Sequence, residues 1–242
     1  THNALVLHFQ PQVDLRSGRI VGAEALLRWR DEQLGQVPPH LAVAAAEASG
    51  LIHELTRWVA SAAIRHCAAF QRIDPRFEVS INVSPTNLHQ AELPEHIDLG
   101  LRTWGLRASS LTVEVTETAM LGDQKAAIEA LQQLKRCGVG ISIDDFGTGY
   151  SSMYWLAQMP LDELKIDMVF VRSMLEIPQH AKIVRSLIEL SRSLELRVIA
   201  EGVETEDIAS TLSHLGCNRS QGYYHGKPMP PEELTALLER HT

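Results

Sequence analysis

Short β-rich runs recur along this chain with helical stretches between nearly every pair, and polar residues alternate with apolar ones inside them. The runs cover residues 5–10, 20–28, 77–84, 111–116, 139–143, 161–166 and 197–200, with a weaker one near 220–224. Between them, Ile183, Val184, Leu187, Ile188, Ser191 and Leu194 fall at helical spacing, as do Leu51, Leu55, Val59, Ala62 and His66. Thr205 before Glu206-Asp207, and Pro230-Pro231 before Glu232-Glu233, mark helix starts by capping, fixed φ and dipole.

About eight strands alternating with helices match a closed (β/α)8 barrel. The first two runs depart from that plan. Only a hairpin-length stretch containing Ser17-Gly18 separates Gln10 from Ile20, too short for a helical crossover between parallel strands. The expectation is an α/β fold, a modified TIM-like barrel with an antiparallel first strand; a doubly wound open sheet is the alternative. No low-complexity tract or Gly/Ser linker divides residues 1–242, which read as one domain. The chain opens Thr1-His2-Asn3 rather than with Met, as expected of a segment excised from a longer multidomain protein.

The parity of the polar residues is the functional signal. Ser80 and Asn82 oppose Val79, Ile81 and Val83; Thr112 and Glu114 oppose Val113 and Val115; Ser142 and Asp144 oppose Ile141 and Ile143. Glu24 lies opposite Ala23 and Ala25, and Lys165 and Glu201 fall on the side away from Ile166 and Ala200. A half-solvated antiparallel sheet would also alternate. Helices between most strands argue otherwise, because their apolar stripes cover the outer face and leave the polar set inside. Buried carboxylates then require countercharge. The oxygen-only set Glu24, Asn82, Glu114, Asp144 and Asp145 suits Mg²⁺ or Mn²⁺ rather than zinc. Adjacent Asp144 and Asp145 can face one site only if the chain leaves the strand there, and Phe146 to Ser152, with two glycines, supplies a flexible loop. Such a pair could serve two cations in a clamp for displacement at phosphorus.

Charge sharpens the choice of partner. A net charge of −8 excludes the basic surface of a general nucleic-acid or anionic-lipid binder. Three scattered cysteines, Cys67, Cys137 and Cys217, read as reduced thiols of a cytoplasmic protein, and no apolar run approaches a membrane span. None of the eleven histidines falls in a metal-binding pattern. Trp29 and Trp155 read as packing residues, whereas Tyr223 beside Gln221 is a candidate base contact.

Seven motifs follow in order along the chain: Glu24-Ala25-Leu26, Asn82-Val83-Ser84, Glu114-Val115-Thr116-Glu117, Asp144-Asp145-Phe146-Gly147-Thr148-Gly149-Tyr150-Ser151-Ser152, Lys165-Ile166-Asp167, Ala200-Glu201-Gly202-Val203-Glu204-Thr205 and Gln221-Gly222-Tyr223. Together they resemble the EAL domain, a family of bacterial cyclic di-GMP phosphodiesterases. The resemblance implies the barrel with its antiparallel first strand, and metal-dependent hydrolysis of cyclic di-GMP to linear pGpG with two Mg²⁺ or Mn²⁺ ions. It implies one ion on Glu24, Asn82, Glu114 and Asp144, and a second on Asp144 and Asp145. Glu201 would be the general base or water-orienting residue, with Lys165 holding the water. Gln10, Leu26 and Arg28 would touch substrate; Gln221 would position the metal-water network, and Glu117 and Glu204 would support the site, Glu117 by anchoring the mobile loop 145–152. A homodimer, and an upstream sensory or GGDEF domain, are also implied. A non-catalytic cyclic di-GMP receptor is the alternative, since some members have lost ligands; here every expected polar position is filled. The segment Pro39 to Ala46 departs from the family pattern, a matter of local packing.

Overall fold

The computed structural model describes residues 4–88, 90, 92–117, 124–147 and 153–241 of the chain. The strands are β1 (Leu5–Asp14), β2 (Ile20–Asp31), β3 (Gly35–Val37), β4 (Glu78–Asn82), β5 (Leu111–Thr116), β6 (Gly140–Phe146), β7 (Glu163–Ile166), β8 (Arg197–Ala200) and β9 (Arg219–Gln221). The helices are α1 (Pro39–Ala48), α2 (Ile52–Phe70), α3 (Pro85–Leu88), α4 (Glu92–Trp104), α5 (Gln124–Arg136), α6 (Met153–Leu156), α7 (Met168–Val171), α8 (Pro178–Ser193), α9 (Glu206–Leu215) and α10 (Pro231–His241). Every strand from β4 to β9 pairs in parallel with its neighbour, and β4 pairs in parallel with β2. Strand β1 closes the barrel by running antiparallel to both β2 and β9. The expected antiparallel first strand is therefore present, and β3 adds a short edge hairpin to β2.

Local chemistry explains both tight turns. Asp14 Oδ1 accepts the Ser17 backbone N–H at 2.7 Å, and Gly18 takes φ 70° to complete the β1–β2 connection. Asp31 Oδ1 accepts from the Gln33 and Leu34 N–H groups at 2.8 and 2.9 Å, ahead of Gly35 at φ 71°. Helix α9 begins on the predicted Thr205 cap, whose hydroxyl accepts from Ile208 N, and ends on left-handed Gly216.

Helices cover the outer face as the periodicity requires. Helix α2 packs on β4, α5 on β6, and α8 on β7 and β8. Val79, Ile81, Val113, Ile141, Ile143, Leu164 and Val198 meet Ile64, Ile97, Leu131, Leu134, Val184 and Ile188 in one continuous buried cluster. Each such side chain contributes roughly 1.5–3 kcal/mol of transfer free energy. The inner face carries the polar set, with Ser80, Thr112, Glu114, Ser142, Glu163 and Lys165 all buried.

Several strand limits differ from those read off the residues. Strand β1 continues to Asp14 because Gln12 keeps the pairing with β9. Strand β7 starts at Glu163 because Asp162 instead turns its carboxylate to the Ile141 N–H at 2.9 Å and to the Lys135 ammonium. Strand β9 ends at Gln221, where the chain bends back so that Tyr224 N donates to Val203 O. Strand β6 does not end at Ile143. It runs on to Phe146 through an irregularity in the pairing with β7, centred on Asp144 and Asp145.

Candidate functional site

The strand ends converge on one side chain. Lys165, at the penultimate position of β7, is fully buried on the barrel axis side, and its Nζ lies within 3.3 Å of four carboxylates. Glu114 Oε2 and Glu201 Oε1 are each 2.8 Å away, and Glu24 Oε2 and Asp144 Oδ1 are each 3.3 Å away. Each arrives from a different strand: Glu24 from β2, Glu114 from β5, Asp144 from β6, and Glu201 directly after β8. Glu201 keeps the β7–β8 ladder going by donating its N–H to Ile166 O at 3.1 Å.

One cation facing four carboxylates leaves an excess of negative charge in a buried place. Burial pushes Glu114 well above the ordinary carboxylate range, and neighbouring Glu24 raises it further against the pull of Lys165. Burial likewise lifts Glu201 to about 8; Lys165 pulls it down, and Asp144 and Glu24 push it back up. Asp145 rises to about 6 through burial, then through Asp144 and its hydrogen-bonded neighbour Asp167. Glu24 is the exception. Burial raises it too, but Lys165 and hydrogen bonds from Gln221 and Asn82 outweigh that and hold it below its usual value. Its partners thus favour the ionised form of Glu24.

Two carboxylate triads share Asp144. Oxygens of Glu24, Glu114 and Asp144 lie within 4.8 Å of one another, and so do those of Asp144, Asp145 and Glu201. Glu114 Oε1 is buried and has no hydrogen-bond partner among the described residues. An oxygen-only donor set, a surplus of buried negative charge and an orphaned carboxylate oxygen fit hard divalent cations such as Mg²⁺ or Mn²⁺.

Asp145 joins Asp144 by a bulge rather than by the chain leaving the strand. Its φ of 55° is left-handed, a conformation Asp tolerates better than most residues, and its N–H folds onto Asp144 Oδ1 at 2.9 Å. This corrects the expected loop beginning at Phe146, which remains in β6 and is buried. Residues 148–152 of the anticipated loop lie outside the described residues. At the edge of that segment, buried Glu117 accepts the Gly147 N–H at 3.1 Å.

The remaining predicted residues are placed as follows. Asn82 Nδ2 donates to Glu24 Oε1 at 2.6 Å. Gln221 Nε2 donates to Glu24 Oε2 at 2.6 Å and to Gln10 Oε1 at 3.1 Å. Gln10 in turn donates to Gly226 O at 3.2 Å. Leu26 and Arg28 follow Glu24 along β2 and are half-buried, and Arg28 Nη1 donates to Leu27 O at 2.8 Å. Glu204 does not join the cluster; it pairs with Arg172 at 2.8 Å on a half-exposed surface. Two contributors escaped the sequence reading. Asp167 contacts Asp145 while capping α7, and its signal was its place beside Lys165-Ile166. Gln12 donates to Gln221, and its signal was the period of two from Gln10.

Comparison with known proteins agrees with this geometry. The family model described as "EAL domain" matches residues 1–228. The chain is 41% identical over 237 residues to the bifunctional diguanylate cyclase/cyclic di-GMP phosphodiesterase MucR of Pseudomonas aeruginosa, covering 97% of this chain and 34% of that protein. It is 36% identical to the cyclic di-GMP phosphodiesterase NbdA of the same organism, covering 98% of this chain and 30% of NbdA. The chain therefore spans about a third of the length of these relatives. A solved structure, the PaMucR phosphodiesterase in complex with c-di-GMP, superposes with a TM-score of 0.89 at 40% identity, covering 96% of this chain and 94% of that one. No helix among the described residues is long and apolar enough to cross a membrane.

Proposed function

The chain belongs to the EAL domain family, and from that membership we propose that it hydrolyses one phosphodiester bond of cyclic di-GMP to give linear pGpG. The observation that carries the proposal is the buried cluster in which one lysine faces four carboxylates while Glu114 Oε1 stays unpartnered. In this reading Glu24, Asn82, Glu114 and Asp144 would hold one divalent cation, and Asp144 with Asp145 would hold a second. When bound, the cations would supply charge neutralisation at the phosphodiester and a more acidic water.

The protein groups then have separable tasks. Glu201 would accept the proton of the attacking water; burial raises it first and Asp144 and Glu24 raise it further, and bound cations would offset that second contribution. Lys165 holds Glu24, Glu114, Asp144 and Glu201 in one arrangement and keeps a positive charge beside the reacting phosphate. Gln10, Leu26 and Arg28 contact the substrate at the mouth, Arg28 pairing a phosphate through its planar fork. Glu117 ties the end of β6 to β5 through Gly147, which steadies Asp144 and Asp145. The same reading takes residues 1–242 as one cytoplasmic domain that works as a homodimer.

Incubating the purified chain with cyclic di-GMP and Mg²⁺ or Mn²⁺ tests the proposal. The expected product is pGpG, and EDTA abolishes it. Binding of cyclic di-GMP without turnover at saturating metal would overturn catalysis in favour of a receptor. Light scattering checks the homodimer.

A further inference from the structure

Resting on the reading of Glu24 as a cation ligand, we propose that Gln12 is a positioning residue that sets the divalent-cation affinity of the site by fixing the amide of Gln221. Gln12 and Gln221 are direct partners in the antiparallel β1–β9 pairing, and both side chains are buried on the inner face. Gln12 Nε2 donates to Gln221 Oε1 at 3.1 Å. That bond commits the oxygen end of Gln221 to Gln12. The nitrogen end must then face Glu24 Oε2, at 2.6 Å, and Gln10 Oε1, at 3.1 Å. An amide is nearly symmetric in shape, so packing alone does not decide which end points at Glu24. Turned over, Gln221 would set its oxygen against a buried carboxylate oxygen and remove the bond that orients Glu24.

The backbone makes room for this arrangement. Gly22 faces Gln12 across the β1–β2 pairing. A Cβ on Gly22 would clash with the Glu78 backbone carbonyl at 2.8 Å and would only touch Gln12 Oε1 at 3.4 Å, so the glycine lets β2 and β4 approach beside the glutamine. Partners that orient a metal-ligating carboxylate are typically worth 10–100-fold in metal affinity.

The test measures Mn²⁺ affinity of the folded chain from the free-ion electron paramagnetic resonance signal, with circular dichroism as the check on folding. Gln12→Met keeps length and removes the donor; its Mn²⁺ affinity falls by about tenfold. Gln12→Asn keeps an amide one methylene short, provides the same test if the methionine variant does not fold, and shows the same loss. In a Gln221→Met background, Gln12→Met has no further effect, because the residue through which it acts is gone. The Mn²⁺ concentration giving half-maximal hydrolysis rises by the same factor, while kcat at saturating Mn²⁺ stays within about twofold. Unchanged Mn²⁺ affinity in both Gln12 variants overturns the proposal, as does a full-sized effect in the Gln221→Met background. A wild-type chain that binds no Mn²⁺ overturns this proposal together with the cation site. A wild-type chain that binds Mn²⁺ but leaves cyclic di-GMP intact overturns only the reaction.

Discussion

At the scale of single residues, Lys165 and Glu201 separate structure from chemistry. The Lys165 ammonium is fully buried and bonded to Glu24 and Glu114 and paired with Asp144 and Glu201. Removing one partner of a buried ion pair commonly costs 3–5 kcal/mol, because the remaining charge is left without compensation. Lys165→Met should therefore lose about 3–5 kcal/mol in urea unfolding with EDTA present. A loss under about 1 kcal/mol would mean that protons, not Lys165, balance the cluster. Glu201 touches the lysine from the rim and is less enclosed than Glu114. Glu201→Gln keeps its size and lowers turnover by roughly 10²–10⁴-fold while sparing Mn²⁺ binding. A variant that retains wild-type turnover would remove Glu201 from the base role.

At the scale of elements, the bulge in β6 decides whether two neighbouring aspartates can serve one site. Alternation in a regular strand would send Asp144 inward and Asp145 outward. The left-handed turn at Asp145 breaks that parity without ending the strand, since Phe146 pairs again with Ile166. Asp145→Asn keeps a residue that tolerates this backbone, whereas Asp145→Val brings a β-branched side chain into it. The valine variant should be less stable than the asparagine variant by about 1–2 kcal/mol in denaturant titration. Equal stability would place no strain at the bulge. This bulge also marks how far the residues alone could be read. The parity of Glu24, Glu114, Asp144 and Lys165 was legible because helices between most strands forced the polar face inward. The extension of β6 was not, because Asp-Asp-Phe-Gly carries the composition of a turn and only the pairing with β7 holds Phe146 in the sheet. Gln12 was missed for a related reason. Past Gln10 the strand is held by β2 on one side and, on the other, by β9, whose Gln221 lies some 200 residues away in sequence. Glu204 shows how quickly proximity in sequence is lost: three residues past Glu201, its backbone has already turned toward α9 and its carboxylate pairs with Arg172.

At the scale of the whole molecule, acidity has a location. Part of the −8 net charge lies in Glu24, Glu114, Asp144, Asp145 and Glu201, inside or at the mouth of the barrel, where it opposes folding unless cations or protons offset it. That predicts how metal-free stability depends on pH. Asp145 and Glu201 are raised in the folded state to about 6 and about 8, from ordinary values of 3.8 and 4.5. A carboxyl whose folded pKa lies above its unfolded one binds its proton more tightly when folded, so it favours folding below the unfolded value. That contribution is lost as pH climbs through the folded value. Glu114 and Glu163, both raised by burial, act in the same direction. Glu24, held low, and Lys165, held above its already high ordinary value, change protonation outside this range and do not reverse the trend. His66 and His225, both depressed by burial, oppose this below their ordinary value of 6.5. The melting temperature of EDTA-treated protein should therefore fall most clearly between about pH 6.5 and about pH 8, the range over which Glu201 still loses its proton. Saturating Mn²⁺ should flatten that slope and raise the upper end most, because a cation replaces the protons the cluster would otherwise need. A metal-free protein whose stability rises over the same interval would show that the buried carboxylates are compensated by the fold itself, and the case for a cation site would lose its physical basis.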